Sequence, residues 1–133
     1  EGTELERAMK LWDVLLKRPA EQLTAPQRSF VHFQRGRTRS RLTNPLDRDP
    51  KLIVADYDMA VKLHPLSEWA DDALFLAGNA EFSLAHNRTK AVEYWRTILE
   101  RHEGSEHLER SAYYIGVALE LEKKWEEARL AYD

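Results

Sequence analysis

Three glycines set in the middle of otherwise helical stretches, Gly36, Gly78 and Gly116, constrain this chain more than any other feature, because they recur at intervals of 42 and 38 residues. A glycine inside a helix costs about 1 kcal/mol relative to alanine, so its return at equivalent places implies that a neighbouring helix comes too close for a side chain. A second marker keeps step with it. A small or aliphatic residue followed four positions later by an aromatic occurs as Ala8/Trp12, Ile53/Tyr57, Ala91/Trp95 and Ala128/Tyr132, the aromatics lying 45, 38 and 37 residues apart. Two markers repeating together predict a series of similar helix pairs.

The punctuation fits seven helices. Thr3 with Glu6 three residues on forms a capping-box start, and Leu5, Ala8, Met9, Trp12, Leu15 and Leu16 fall on one stripe of a first helix closed by Lys17-Arg18-Pro19. Thr24 and Pro26 open a second, running to about Leu42, and 43–49 reads as a loop. Asp49-Pro50 starts a third that ends at His64-Pro65, and Ser67 caps a fourth from Glu68 to about Leu84. Asn87 caps a fifth, ending at Glu103-Gly104; Ser105 caps a sixth, to about Glu122, and a seventh begins near Trp125.

Composition excludes several function classes. With no cysteine among 133 residues there is no disulfide scaffold, thiolate metal site or cysteine nucleophile. No apolar run approaches the roughly 18 residues of a membrane span, and the first residues lack a basic-then-apolar signal pattern. The five histidines are scattered, the nearest pair, His102 and His107, straddling Gly104, so no helical metal-binding pair is formed. Asp71-Asp72 and Glu126-Glu127 read as acids favoured in a first helical turn, and no nucleophile elbow or phosphate loop is present. The expectation is a protein without catalytic residues, cofactor or metal. The net charge of −3 conceals a split: residues 1–51 carry eleven Lys/Arg against seven Asp/Glu, and 52–133 carry nine against sixteen.

The spacing resembles the tetratricopeptide repeat family, on the strength of Arg35-Gly36, the run Asp56-Tyr57-Asp58-Met59-Ala60-Val61-Lys62-Leu63-His64-Pro65, and Gly116, Ala128 and Tyr132. Glu81 and Arg39 stand where that family usually has an aromatic, and the 43–49 loop is longer than its turn. The resemblance implies an all-α, right-handed superhelix (a solenoid) of seven helices in helix–turn–helix units. Residues 3–18 would be the second helix of a preceding repeat, followed by repeats at 26–65 and 68–103 and an incomplete one at 106–133. On this phasing the chain is an excerpt of a longer array, with Met9, Trp12 and Leu16 at one end, or Leu119, Leu130 and Tyr132 at the other, covered by further helices or a partner. A narrower stretch, Pro65-Leu66-Ser67-Glu68-Trp69-Ala70-Asp71-Asp72-Ala73-Leu74-Phe75 with Ala91-Val92-Glu93-Tyr94-Trp95, is similar to the extended repeats of bacterial outer-membrane assembly lipoproteins and of the periplasmic partner of the Tol-Pal system. Glu103-Gly104-Ser105-Glu106-His107 departs from it by lacking the proline. This likeness implies a periplasmic or outer-membrane-associated scaffold; the residues themselves leave the cytoplasm open.

In such a superhelix the first helix of each pair lines the concave side, which implies a groove for a peptide or partner domain. Counted from each glycine, its lining would be Phe30, Phe33, Arg37, Ser40 and Arg41, then Asp72, Phe75, Asn79 and Phe82, then Arg110, Tyr113, Val117 and Glu120. Phe33, Phe75 and Tyr113 share one place in successive units, an aromatic column whose alternative reading is plain packing between helices. Two other functions remain open: a spacer or oligomerisation module acting through its end faces, and RNA binding through the arginine-rich helix 28–41. Against the latter, Arg35 and Arg39 fall on one side of a helix and Arg37 and Arg41 on another, so the first pair is expected to meet neighbouring acids and the second to colour one end of the groove positive.

Overall fold

The computed structural model describes the backbone of residues 2–131, and the side chains of these except 2, 3, 128, 129 and 131. It is all-α: helices α1 (Gly2–Leu16), α2 (Ala25–Ser40), α3 (Pro50–Leu63), α4 (Ala70–Ser83), α5 (Arg88–Arg101) and α6 (Leu108–Ala131), with a short 3₁₀ turn at Pro45–Asp47 inside the 43–49 loop. No helix among the described residues is long and apolar enough to cross a membrane.

Local chemistry accounts for most boundaries. Thr24 Oγ1 accepts from Gln27 N at 3.2 Å while Gln27 Oε1 accepts from Thr24 N at 2.9 Å, a reciprocal capping box. Asp49 accepts from Lys51 N at 2.9 Å ahead of Pro50, and Asn87 from Lys90 N at 3.1 Å. Three expected caps differ. α1 already includes Thr3, α4 begins at Ala70 without a side-chain cap, the Ser67 hydroxyl being buried without a hydrogen-bond partner, and α6 begins at Leu108, with Ser105 Oγ accepting from His107 N at 3.0 Å ahead of it. Asp71 and Asp72, acids in the first turn, offset the positive end of α4 instead.

Each helix packs chiefly on its neighbour in sequence, from α1 on α2 to α5 on α6. The glycine–aromatic pairing is visible at two of these junctions. A Cβ added to Gly36 would stand 2.8 Å from Tyr57 Cε1, and one added to Gly78 would strike the Trp95 indole, 2.7 Å from Cδ1. Each junction anchors its own apolar cluster: Phe33, Ile53, Tyr57 and Ala77 in one, Leu74, Phe75, Trp95, Ile98 and Ala118 in the other.

The third glycine behaves differently, and with it the helix count. Among the described residues six α-helices stand where seven are expected, because the sixth and seventh are one 24-residue helix, α6. Between Glu122 and Trp125 there is no Gly, Pro or capping residue, only Lys123-Lys124, both good helix formers, so nothing in the local sequence halts propagation. A Cβ on Gly116 would meet nothing within 4 Å. The expected pair Ala128/Tyr132 lies outside the described side chains.

Buried polar groups tie the front helices together. Arg35 holds Asp56 through two nitrogens at 2.9 Å each and reaches Asp13 at 2.9 Å, while His32 Nδ1 lies 2.8 Å from Asp56 Oδ1. Burial pushes the Asp56 pKa up, but hydrogen bonds from His32 and Arg35, with the guanidinium charge, outweigh it and hold this carboxyl below its ordinary range. The Arg35 pKa is raised correspondingly, first by its hydrogen bond to Asp56. Ser29 donates to Ala60 O at 2.6 Å and accepts from Trp69 Nε1 at 2.9 Å, joining α2 to the α3–α4 connection.

Candidate functional site

The groove residues counted from the glycines separate into three groups. Asn79 and Phe82 from α4 and Tyr113 and Val117 from α6 come together, with Ser83, Trp95 and Tyr114, around a concavity of about 430 Å³. α4 presents Asn79, Phe82 and Ser83 within little more than one turn, while Tyr113 and Val117, four apart, share a face of α6. Phe82 leans on Trp95 with ring centroids 5.8 Å apart, Trp95 meets Tyr114 at 5.5 Å, and Tyr114 meets Tyr113 at 5.8 Å. The result is an open trough with aromatic walls, polar groups from Asn79 and Ser83 at its edge, and Tyr113 standing 68% exposed. Trp95 itself is 2% exposed, and its Nε1 is buried without a hydrogen-bond partner.

A second group, Asp72, Phe75 and Arg110, is brought together in a closed arrangement. Phe75 is 5% exposed, stacked on the His107 ring at 4.3 Å and covered by the Arg110 guanidinium at 5.1 Å. His107 Nε2 lies 2.5 Å from Asp72 Oδ1, and Ser105 donates to Asp71 at 2.5 Å. The ligand-type atoms of Asp71, Asp72 and His107 fall within 4.8 Å of one another. They stand at the start of α4 and just ahead of α6, where helix dipoles oppose a cation, and they hydrogen-bond across the junction as a clamp. Glu120 is exposed on α6.

The third group, on α2, lies mostly apart from the others, although Ser40 lines a small concavity of about 180 Å³ together with Asn79 and Ser83. Phe33 is buried against Tyr57, Phe30 packs edge-on to Trp69 at 5.1 Å, and Arg37 lies over the Phe33 ring at 5.6 Å. Arg37 and Arg41 are exposed and Ser40 is half-buried. Of the pair expected to meet acids, Arg35 does so through Asp56 and Asp13; Arg39 departs from the expectation, its Nε buried without a hydrogen-bond partner. Phe33, Phe75 and Tyr113 thus share a register without sharing a surface, since only Tyr113 faces solvent.

Sequence reasoning missed Trp95 and Tyr114 as groove residues. In the sequence Trp95 is only a marker keeping step with the glycines, yet its indole packs on Gly78 and lines the trough as well. Tyr114 follows Tyr113 by about 100° around the helix, so both reach the same cleft from its two sides. A larger open concavity of about 950 Å³ lies between α1, the end of α2 and the 43–49 loop, lined by Glu6, Met9, Lys10, Arg39, Leu42 and neighbours. At the front, Met9, Trp12 and Leu16 are half-buried, with Trp12 Nε1 donating to Thr38 Oγ1 at 3.0 Å; Leu11 and Val14 are the exposed apolar residues of α1. No family model, curated protein or solved structure matches the chain.

Proposed function

We propose that this chain is a protein-interaction scaffold, a tetratricopeptide-like right-handed stack of helix pairs that receives a peptide in the trough between α4 and α6. The observation carrying this reading is the convergence of Asn79, Phe82, Tyr113 and Val117 on one cavity with an exposed aromatic at its lip. Apolar walls supply anchoring area, and Asn79 and Ser83 supply the few polar partners that fix the register of a bound backbone. The reading also takes in a place in a bacterial envelope assembly, supported by the Pro65–Phe75 stretch.

The test is selection of short peptides from a display library on the purified chain, followed by anisotropy measurements with the Phe82→Ala plus Tyr113→Ala variant. Phe82 is half-buried and Tyr113 exposed, so this variant is expected to keep its helical spectrum and lose at least tenfold in affinity, the effect of removing aromatic anchors each worth more than about 1 kcal/mol. Undiminished binding by a folded double variant would sink the reading.

A further inference from the structure

The trough between α4 and α6 does not end at α4. Asn79 and Ser83 line it, and they also line the smaller concavity of about 180 Å³ that they share with Ser40 of α2 and with Ile53 and Tyr57 of α3. One concave strip therefore crosses α6, α4 and α2 in turn.

What α2 adds to the strip is charge. Asn79 and Ser83 stand one and five positions after Gly78, and Arg37 and Arg41 stand one and five after Gly36. Both glycines face an aromatic of the following helix, Gly36 on Tyr57 and Gly78 on Trp95, so α2 and α4 are turned alike about their axes. The rotation that sets Asn79 and Ser83 on the strip sets Arg37 and Arg41 there too. Both arginines are exposed, and Arg37 is steadied by the Phe33 ring at 5.6 Å and by donating to Gln34 at 3.3 Å. Among the described residues neither guanidinium has a carboxylate partner, unlike Arg35 with Asp56 and Arg88 with Glu122. The far edge has the opposite sign, since Glu120 is exposed on α6 three positions after Val117. A phosphate backbone along this strip would meet two cations and then a carboxylate, whereas a peptide can carry acids at one end only.

We infer that the peptide received in the trough carries aspartate or glutamate to one side of its apolar anchor, and that these carboxylates lie over α2 on Arg37 and Arg41. The inference rests on the trough reading above. Neighbouring helices pack about 10 Å apart, so α2 is about 15 Å from the middle of the α4–α6 trough, which an extended chain crosses in about four or five residues. That sets the interval between anchor and acids. An arginine fork can hold a carboxylate through two nitrogens, so the acids select the peptide and fix its direction while the anchor supplies most of its retention.

Parallel display selections of short peptides on the wild type and on Arg37→Glu/Arg41→Glu test this. The wild-type pool is expected to be enriched in Asp or Glu about four or five positions from an apolar anchor, and the variant pool in Lys or Arg at that place. A wild-type-selected peptide should lose at least tenfold in affinity on Arg37→Glu/Arg41→Glu, less on the milder Arg37→Gln/Arg41→Gln, with the loss shrinking as salt is added. Its counterpart with lysine in place of the acids should prefer the reversed variant. Peptides that weaken on Phe82→Ala plus Tyr113→Ala but show neither acid enrichment nor sensitivity to the arginines overturn this inference and leave the trough standing. Peptides indifferent to Phe82→Ala plus Tyr113→Ala overturn the trough and this inference with it. An oligouridylate bound as tightly as the selected peptides, and lost on Arg37→Glu/Arg41→Glu, would make α2 a nucleic-acid site and overturn it as well.

Discussion

Replacing each repeated glycine by alanine gives three chemically identical perturbations with different expected signs. At Gly78 the new methyl would stand 2.7 Å from Trp95 Cδ1 and 2.9 Å from Cε2, closer than real Cβ contacts run. The indole is 2% exposed and wedged between Phe82 and Tyr114, so it has no free space to retreat into. Overpacking of this kind costs about 1–3 kcal/mol, against which alanine returns up to about 1 kcal/mol of helix propensity. The net for Gly78→Ala is a loss of about 1–2 kcal/mol. Gly36→Ala meets Tyr57 Cε1 at 2.8 Å and its next ring atoms at 3.1 Å, a slightly milder clash, and is expected to fall between neutral and a 1 kcal/mol loss. Gly116→Ala meets nothing within 4 Å and is expected to stabilise α6 by about 1 kcal/mol. Urea unfolding followed by circular dichroism separates the three through their midpoints, provided the slopes agree. The reasoning fails if Gly78→Ala is as stable as wild type. It fails equally if Gly116→Ala is destabilised like Gly78→Ala, because that would place a helix against Gly116.

Asp56→Asn leaves Asp13 as the carboxylate paired with the Arg35 guanidinium and is expected to lower stability by about 2–3 kcal/mol, at or below the low end for breaking a buried pair because Arg35 is partly exposed. Because the Asp56 pKa lies below its unfolded value, the stability it supplies is present above the ordinary carboxylate range and lost as pH falls through the lowered value; acid titration of Asp56→Asn should lack that component. Burial pushes the Tyr57 hydroxyl up to about 12, so its contribution is intact below the ordinary tyrosine pKa and disappears as pH rises through about 12, a component that Tyr57→Phe should remove from the alkaline unfolding curve. Ser29→Ala strands the Trp69 indole N–H and is expected to cost about 1–3 kcal/mol in urea unfolding, with a change in tryptophan fluorescence.

Much of the architecture is legible because it rests on local chemistry or close approach. Gly36 and Gly78 can be read as contact points since a helix has little other reason to hold a glycine, and the caps at Thr24, Asp49 and Asn87 follow from side chains that reach backbone N–H groups two or three residues on. The end of α6 is illegible by the same logic, because a turn between Glu122 and Trp125 would have to come from tertiary contacts and not from a breaker. The groove is half legible. Register identifies which residues share a helix face, and Asn79, Phe82, Tyr113 and Val117 line one concavity. Register does not say what stands opposite that face. Phe75 is buried because Tyr114 and His107 lie against it, while Tyr113, at the equivalent place in α6, has no subsequent helix upon it among the described residues.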